Sequence, residues 1–110
     1  VRELVRLTGA VVILKGAGSL VGWLDNEQKL QIEVCLAGNP GMASGGMGDV
    51  LSGFLGSLLG QGLDVVAASR LGCFLHSAAA DRLAESNGET GLLASDLPPM
   101  IRHFMNVGTV

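Results

Sequence analysis

Residues 38–53 contain the side chains and backbone groups of this chain that could perform chemistry. They have the sequence GNPGMASGGMGDVLSG, and an apolar helical pattern begins after Asp49. Glycine tolerates positive φ, so consecutive amides can point toward one place. The first amides of a helix have no intrahelical acceptor, and the helix dipole adds positive potential there. The segment therefore predicts an anion hole formed by Gly45 and Gly46, followed by a helix that starts near Gly48 or Asp49.

Asp49 is the unusual residue of this segment, because a carboxylate beside an anion site repels the anion unless it accepts a proton or holds a metal. In phosphoryl transfer such a carboxylate takes the proton of the attacking hydroxyl, while helix-start amides stabilise the transferred group. An aspartate at a helix start is also an ordinary cap, and glycine-rich loops are also ordinary turns. The residue chemistry alone leaves both interpretations open.

A second candidate segment comprises Lys15, Gly16, Ala17, Gly18 and Ser19. It follows a β-branched apolar run at residues 10–14, which predicts a short buried strand. Ligands collect at the carboxyl ends of strands in open α/β sheets. Lys15 could therefore reach a phosphate, although a solvated loop lysine has the same sequence pattern.

The N-terminal half predicts simple elements around these segments. Residues 2–8 are expected to be helical and to end near Gly9. Residues 20–24 and 30–34 predict two strands joined by a polar turn. Trp23 is expected to pack on one face of this hairpin.

The C-terminal half predicts three helices. In the first, Gly53, Gly56 and Gly60 recur at short spacings, which suggests a buried helix packed closely against a neighbouring backbone. In the second, Asp64 is the expected N-cap and Gly88 the end, with His76 as a packing residue and Asp81 and Arg82 on a solvated face. In the third, Ser95 is the expected N-cap, Pro98 and Pro99 lie in the first turn, and His103 lies on the surface.

Composition limits the possible functions. The 110 residues are 48% hydrophobic and 15% charged, which is apolar for a domain of this size and suggests that part of its surface is covered. The net charge of −3 and the lack of a basic cluster argue against nucleic-acid binding. No apolar run in the sequence reaches the length needed to span a membrane. Cys35 and Cys73 lack metal-ligand spacing, so free buried thiols in a reducing compartment are expected, with a disulfide as the minor alternative.

The glycine-rich segment resembles the signature of the ADP/ATP-dependent NAD(P)H-hydrate dehydratases, which are members of the ribokinase-like superfamily. The residues that carry the resemblance are Asn39, Gly41, Gly45, Gly46, Gly48, Asp49, Leu51 and Gly53, and residues 12–19 are similar to a second motif of that family. The similarity covers most of the chain in the same order. It implies an α/β fold, a ribokinase-like three-layer αβα sandwich. Residues 1–110 would be its C-terminal portion, with the N-terminal portion missing.

The resemblance also implies a function for individual residues. Lys15, Gly16, Ala17, Gly18, Ser19 and Gly48 would bind the adenine nucleotide, and Asp49 would bind the hydrate substrate and act as catalytic base. The implied reaction is a lyase reaction, the ADP-dependent dehydration of (S)-NAD(P)H hydrate to NAD(P)H with release of AMP and phosphate. ADP or ATP would be the co-substrate, Mg²⁺ would accompany the nucleotide, and a cytoplasmic homo-oligomer is expected.

Two alternatives of a different kind stay open. The same anion hole and base would serve a small-molecule kinase of the superfamily, acting on a hydroxymethylpyrimidine or a sugar. The chain could also be an inactive nucleotide-binding or assembly fragment, because substrate contacts from an N-terminal portion would be missing.

Overall fold

A computed structural model describes residues 1–16 and 18–108. The elements in chain order are α1 (Arg2–Thr8), β1 (Val12–Leu14), β2 (Leu20–Leu24), β3 (Leu30–Val34), a 3-10 turn (Pro40–Ala43), α2 (Met47–Gly60), α3 (Val65–Asn87), a second 3-10 turn (Ala94–Asp96) and α4 (Leu97–Val107). The predicted first helix and both hairpin strands are confirmed. Gly9 ends α1 in the left-handed region, with φ 68°.

The three strands form one antiparallel sheet in the order β1-β2-β3, in which Val12 pairs with Gly22 and Leu20 with Val34. The strand predicted within residues 10–14 is confirmed at Val12–Leu14, but the prediction that it is buried is wrong. β1 begins only at Val12, and the Leu14 side chain is 52% exposed. The reason is that β1 pairs with β2 alone among the described residues, so it forms an edge of the sheet.

Helices cover both faces of the sheet. Successive strand residues point to opposite sides, so apolar residues of β2 face a helix on each side. On one face lies α1, whose Val5 is fully buried, and a Cβ added at Gly22 would lie 3.1 Å from the Val5 side chain. On the other face Val21 packs with Leu51 of α2 and Cys73 of α3. This helix–sheet–helix layering agrees with the predicted three-layer α/β sandwich.

A second core lies between α2, α3 and α4. Its buried side chains are Met47, Leu75, Ala79, Ala80, Leu92, Leu97, Ile101 and Phe104. The predicted cap of α3 is confirmed, since the Asp64 carboxylate accepts a hydrogen bond from the Ala67 amide at 2.9 Å. Gly88 follows the helix end with φ 85°.

The glycines of α2 do not pack against a neighbouring backbone, so that prediction is wrong. Gly53, Gly56 and Gly60 are exposed, and no described atom lies within 4 Å of a Cβ added at any of them. The buried positions of α2 are Met47, Leu51 and Leu58. At 3.6 residues per turn these two sets lie on opposite faces of the helix.

Two helix starts also differ from the predictions. α2 begins at Met47, because Gly46 adopts φ 88° and serves as its N-cap, which leaves Asp49 in the first turn rather than at the cap. Ser95 is not the N-cap of the last helix. Instead, a 3-10 turn precedes α4, and the Asp96 carboxylate accepts from the Leu93 amide at 2.9 Å.

The other features predicted for the last helix are confirmed. Its two prolines lie in the first turn, and His103 is exposed. In residues 1–16 and 18–108, no helix combines the length and the apolar composition that crossing a bilayer would require.

Candidate functional site

A cleft of about 500 Å³ lies between the end of β1, the segment after β3, and the helices α2 and α3. Lys15, Gly16, Gly18 and Ser19 line it, so four of the five residues in the predicted nucleotide-binding segment 15–19 lie together at one opening. The fifth, Ala17, lies outside the described residues. The remaining lining comes from residues 36–40 and 42–43, from Met47 and Leu51 of α2, and from Cys73, His76 and Ser77 of α3.

Lys15 reaches the start of α2. A Cβ added at Gly48 would collide with the Lys15 Nζ, so the ammonium lies directly against the first turn of that helix. The helix-start amides and the ammonium both favour negative charge at the same place. A side chain at position 48 would therefore push the flexible end of Lys15 away from the helix start. This arrangement can hold a phosphate group.

The other predicted residues lie beside the cleft rather than in its lining. Gly45 and Gly46 form the exposed loop before α2, and the Gly46 carbonyl accepts from the Val50 amide at 3.1 Å. Asp49 is exposed in the first turn of α2 and does not line the cleft. Within the described part of the chain, its carboxylate forms no ion pair. The structure thus brings Lys15 to the α2 start and leaves Asp49 outside the lining of the cleft.

His76 is buried on α3, as predicted for a packing residue. It also lines the cleft, which the sequence does not predict. Its Nε2 lies 3.0 Å from the Met47 carbonyl oxygen. Since a carbonyl only accepts, Nε2 carries the proton and donates. Burial lowers the pKa of His76; the hydrogen bond to Met47 opposes this change, and the charge of Lys15 adds to it. The imidazole is therefore neutral at pH 7, and it joins α3 to the first residue of α2.

Asp81 does not belong to a solvated face, so that prediction is wrong. Its side chain is half-buried and fastens the loop after β3 to α3. One carboxylate oxygen accepts from the Gly38 amide at 2.9 Å, and the other accepts from the Asn39 side-chain amide at 2.8 Å. No local sequence signal reveals this role, because the partners of Asp81 lie 43 and 42 residues earlier in the chain. Its neighbour Arg82 is exposed, as predicted.

The two cysteines are free thiols, as predicted. Cys73 is buried, and burial, followed by the neighbouring Cys35 thiol, raises the pKa of Cys73 to about 11. Cys35 is only half-buried, and its thiol donates weakly to the Cys73 carbonyl at 3.8 Å. The Cys73 thiol therefore stays protonated at neutral pH and is not a nucleophile there.

Acidic and histidine side chains are dispersed in the site. Over residues 1–16 and 18–108, no three His, Cys, Asp or Glu side chains are grouped so that they could hold a metal ion. The cleft combines one cationic end, formed by Lys15 and the α2 start, with an apolar interior that includes Met42 and Leu51. Such a cleft suits a ligand that carries both a phosphate group and an apolar or aromatic part.

Comparisons with known proteins give one consistent result. A family model described as NAD(P)H-hydrate dehydratase matches residues 1–102. A bifunctional NAD(P)H-hydrate repair enzyme of Vibrio cholerae is 52% identical over 106 residues, which are 96% of this chain and 20% of that protein. An ADP-dependent (S)-NAD(P)H-hydrate dehydratase of Neisseria meningitidis is 46% identical over 107 residues, which are 96% of this chain and 35% of that protein.

The fold has a solved counterpart as well. The crystal structure of an ADP/ATP-dependent NAD(P)H-hydrate dehydratase from Bacillus subtilis, co-crystallised with ATP and Mg²⁺, superposes with a TM-score of 0.81 at 24% identity. The match covers 94% of this chain and 37% of that one. The chain thus spans about a fifth to a third of the length of these relatives.

Proposed function

This chain belongs to the NAD(P)H-hydrate dehydratase family, and we propose that the protein containing it dehydrates (S)-NAD(P)H hydrate to NAD(P)H at the expense of ADP. The family inferred from the glycine-rich motif is confirmed by the family model that matches residues 1–102. One observation carries the proposal: the ammonium of Lys15 lies against Gly48, at the helix start that opens beside the cleft.

The chain would be the C-terminal portion of one ribokinase-like dehydratase domain, with the N-terminal portion elsewhere in the protein. The match to only 37% of the Bacillus subtilis chain supports this division. So does β1, which is paired along one side only within the described residues. Exposed apolar side chains give further support, among them Leu7 at 81% and Leu36 at 91% exposure. The same apolar surface supports a homo-oligomer, and the free thiols support a cytoplasmic location.

In this proposal the nucleotide lies in the cleft. Its phosphates bind Lys15 and the α2 start at Gly48, with Gly16, Ala17, Gly18 and Ser19 alongside. The Gly45 and Gly46 amides form the anion hole for the transferred phosphoryl group. Asp49 lies in the first turn of the same helix, one residue beyond Gly48. The hydrate substrate would bind on that side of the helix start, with its hydroxyl against the Asp49 carboxylate.

The chemistry follows from these positions. The Asp49 carboxylate takes the proton of the ring hydroxyl as that oxygen attacks the terminal phosphorus of ADP, and AMP leaves. The ring C–O bond of the resulting phosphate ester then breaks, inorganic phosphate leaves, and loss of a proton from the adjacent ring carbon forms the double bond of the reduced nicotinamide. Phosphorylation is useful because hydroxide is a poor leaving group and phosphate a good one. Positioning and electrostatic stabilisation are sufficient for such a transfer.

ADP is the proposed donor because the Neisseria meningitidis relative is named as ADP-dependent. ATP and Mg²⁺ are compatible, since the Bacillus subtilis dehydratase was co-crystallised with both. Magnesium usually binds through substrate phosphates, water and one or two carboxylates. Asp49 is the acidic residue in the first turn of α2. A Mg²⁺ that is bound mainly by the nucleotide phosphates and water would fit such a site.

The test is a dehydration assay of the full-length protein. NADH hydrate is mixed with ADP, with ATP or with neither, and the recovery of absorbance at about 340 nm is followed. Asp49→Asn should lower turnover by about 10²–10⁴-fold, the usual contribution of a general base, and should keep its affinity for ADP in calorimetry. Asp64→Asn is the matched control, because asparagine also caps a helix well.

The outcomes separate the hypotheses. Nucleotide-dependent recovery that Asp49→Asn abolishes supports the dehydratase and the base. Unchanged turnover in Asp49→Asn removes this carboxylate from the mechanism. A stable phosphorylated product without recovery of absorbance would indicate the kinase alternative, which uses the same anion hole and base. ADP binding with neither product would indicate the inactive nucleotide-binding fragment.

A further inference from the structure

One wall of the cleft is held by side chains rather than by a backbone ladder. Gly38, Asn39 and Pro40 line the cleft after the end of β3, and the chain there has left the sheet. The Asn39 side-chain oxygen accepts from the Gly41 amide at 3.0 Å, which closes the start of the 3-10 turn. Gly38 adopts φ 122°, a backbone conformation that glycine tolerates and other residues rarely adopt. The wall therefore depends on what holds it from outside.

Asp81 provides that support. Its two carboxylate oxygens accept from the Gly38 amide and from the Asn39 side-chain amide, at 2.9 and 2.8 Å. Two donors on one wall thus meet two acceptors on one helix residue. The ion pairs found in the described chain involve other residues, so this carboxylate serves the wall and no cation. An amide at position 81 would offer one acceptor only, and one of the two donors would lose its partner.

The Asp81 carboxylate also links the position of α3 to the position of the wall that a ligand would contact. Ser77, one turn earlier on α3, lines the cleft, while Asp81 itself does not. Asp81 therefore fixes the spacing between the α3 face and the opposite wall without touching a ligand between them. Hydrogen bonds to a charged group contribute more stability than neutral ones. Loss of either bond should therefore free the Gly38–Asn39 wall to move relative to α3.

We propose that Asp81 is a positioning residue, whose two hydrogen bonds hold the Gly38–Asn39 wall at the distance from α3 that a bound adenine nucleotide requires. This proposal rests on the proposed function, in which the nucleotide occupies this cleft. A residue that positions a wall affects affinity, whereas a residue that only supports the fold affects stability. The two roles can therefore be separated by measurement.

The first experiment uses Asp81→Asn in the full-length protein, with Arg82→Ala as the matched control on the next, exposed position of α3. The Kd for ADP is measured by calorimetry, and the midpoint of thermal unfolding is measured on the same samples. We expect Kd to rise by about tenfold or more in Asp81→Asn, the equivalent of one charge-assisted hydrogen bond, and to stay unchanged in Arg82→Ala. KM for ADP should rise more than kcat falls.

The second experiment exchanges the roles of the two side chains. Asn39→Asp alone places two carboxylates together and should weaken ADP binding. The double variant Asn39→Asp/Asp81→Asn restores every bond. The amide introduced at position 81 can accept from Gly38 and donate to position 39, where the new carboxylate still accepts from the Gly41 amide. We expect the double variant to recover an ADP affinity within a few-fold of the original protein.

The outcomes are distinct for the two proposals. If the unaltered, folded protein does not bind ADP, the proposed function fails, and the positioning role fails with it. If it binds ADP and Asp81→Asn binds equally well, the function stands and the positioning role is refuted. A lowered unfolding midpoint with unchanged Kd would also refute it. If Asp81→Asn does not fold, the double variant decides, since an affinity no higher than that of Asn39→Asp would refute the positioning role.

Discussion

Two glycines of this chain should respond to the same substitution with opposite signs. Gly53 lies inside α2, where a Cβ would have no described atom within 4 Å. Glycine in a helix interior costs about 1 kcal/mol relative to alanine, so Gly53→Ala should stabilise the protein by about that amount. Gly41 lies in the turn after Asn39, where a Cβ would lie 2.6 Å from the Glu89 carbonyl oxygen. A backbone atom cannot yield as a side-chain end can, so Gly41→Ala should destabilise it by about 1–3 kcal/mol.

Thermal unfolding of the full-length protein measures both effects. For a domain of about 150–250 residues, 1 kcal/mol corresponds to about 2–4 °C. Gly53→Ala should therefore raise the unfolding midpoint by that amount, and Gly41→Ala should lower it by about 2–12 °C. Urea unfolding supplies the check, since neither substitution should change the slope m if only the folded state is affected.

A destabilised Gly53→Ala protein would refute the reasoning. It would mean that the exposed face of α2 is covered in the full-length protein by a segment or a second subunit that approaches the backbone closely. Gly56→Ala would then behave in the same way, because Gly56 lies on the same face of α2 with equally open space around it. Stabilisation by both variants would show that this face is solvated, and that these glycines are not needed for packing.

Three further predictions follow from burial. Leu58→Ala should destabilise the protein by about 2–5 kcal/mol in urea unfolding, because Leu58 is fully buried, whereas Leu59→Ala should cost much less at 44% exposure. At pH 8 iodoacetamide should alkylate Cys35 well before Cys73, whose pKa is raised to about 11; equal rates by mass spectrometry would contradict its burial. The free energy of unfolding should fall as the pH drops below about 6.5, because burial lowers the pKa of His76 and the unfolded chain therefore binds a proton that the folded chain does not. In urea unfolding at pH 5–8, His76→Gln should remove this part of the pH dependence.

Local elements of the fold can be predicted from the sequence, because they depend on neighbouring residues. The hairpin strands Leu20–Leu24 and Leu30–Val34 are examples. Their turn is closed by Asp25, which accepts from the Glu27 and Lys29 amides within five residues. The cap at Asp64 is equally local, since its partner is three residues away. Such contacts join residues a few positions apart, so the sequence itself shows which residues meet.

The walls of the cleft cannot be predicted in this way. Asp81 has the composition of a solvated helix position, and only its partners 42 and 43 residues earlier make it part of the site. His76 likewise meets a carbonyl 29 residues away. For the glycines of α2 the error is the opposite one. Their spacing predicts close packing against a neighbouring backbone, whereas in the structure they lie on the exposed face of the helix. Lys15 and Gly48 are predicted from their resemblance to the family motifs, which does not depend on knowing how they pack.

The bonds from α3 to both walls of the cleft have a consequence for folding kinetics. The hairpin β2–β3 closes a loop of a few residues, whereas the bond from Gly38 to Asp81 closes one of 43. The entropy of closing a loop grows with its length, so contacts distant in sequence are the slow ones to form. The hairpin should accordingly be organised first, and the cleft only when α3 docks. A chain newly emerged from the ribosome would pass through a stage with folded secondary structure and no affinity for a ligand, and ligand binding would report the last step of folding.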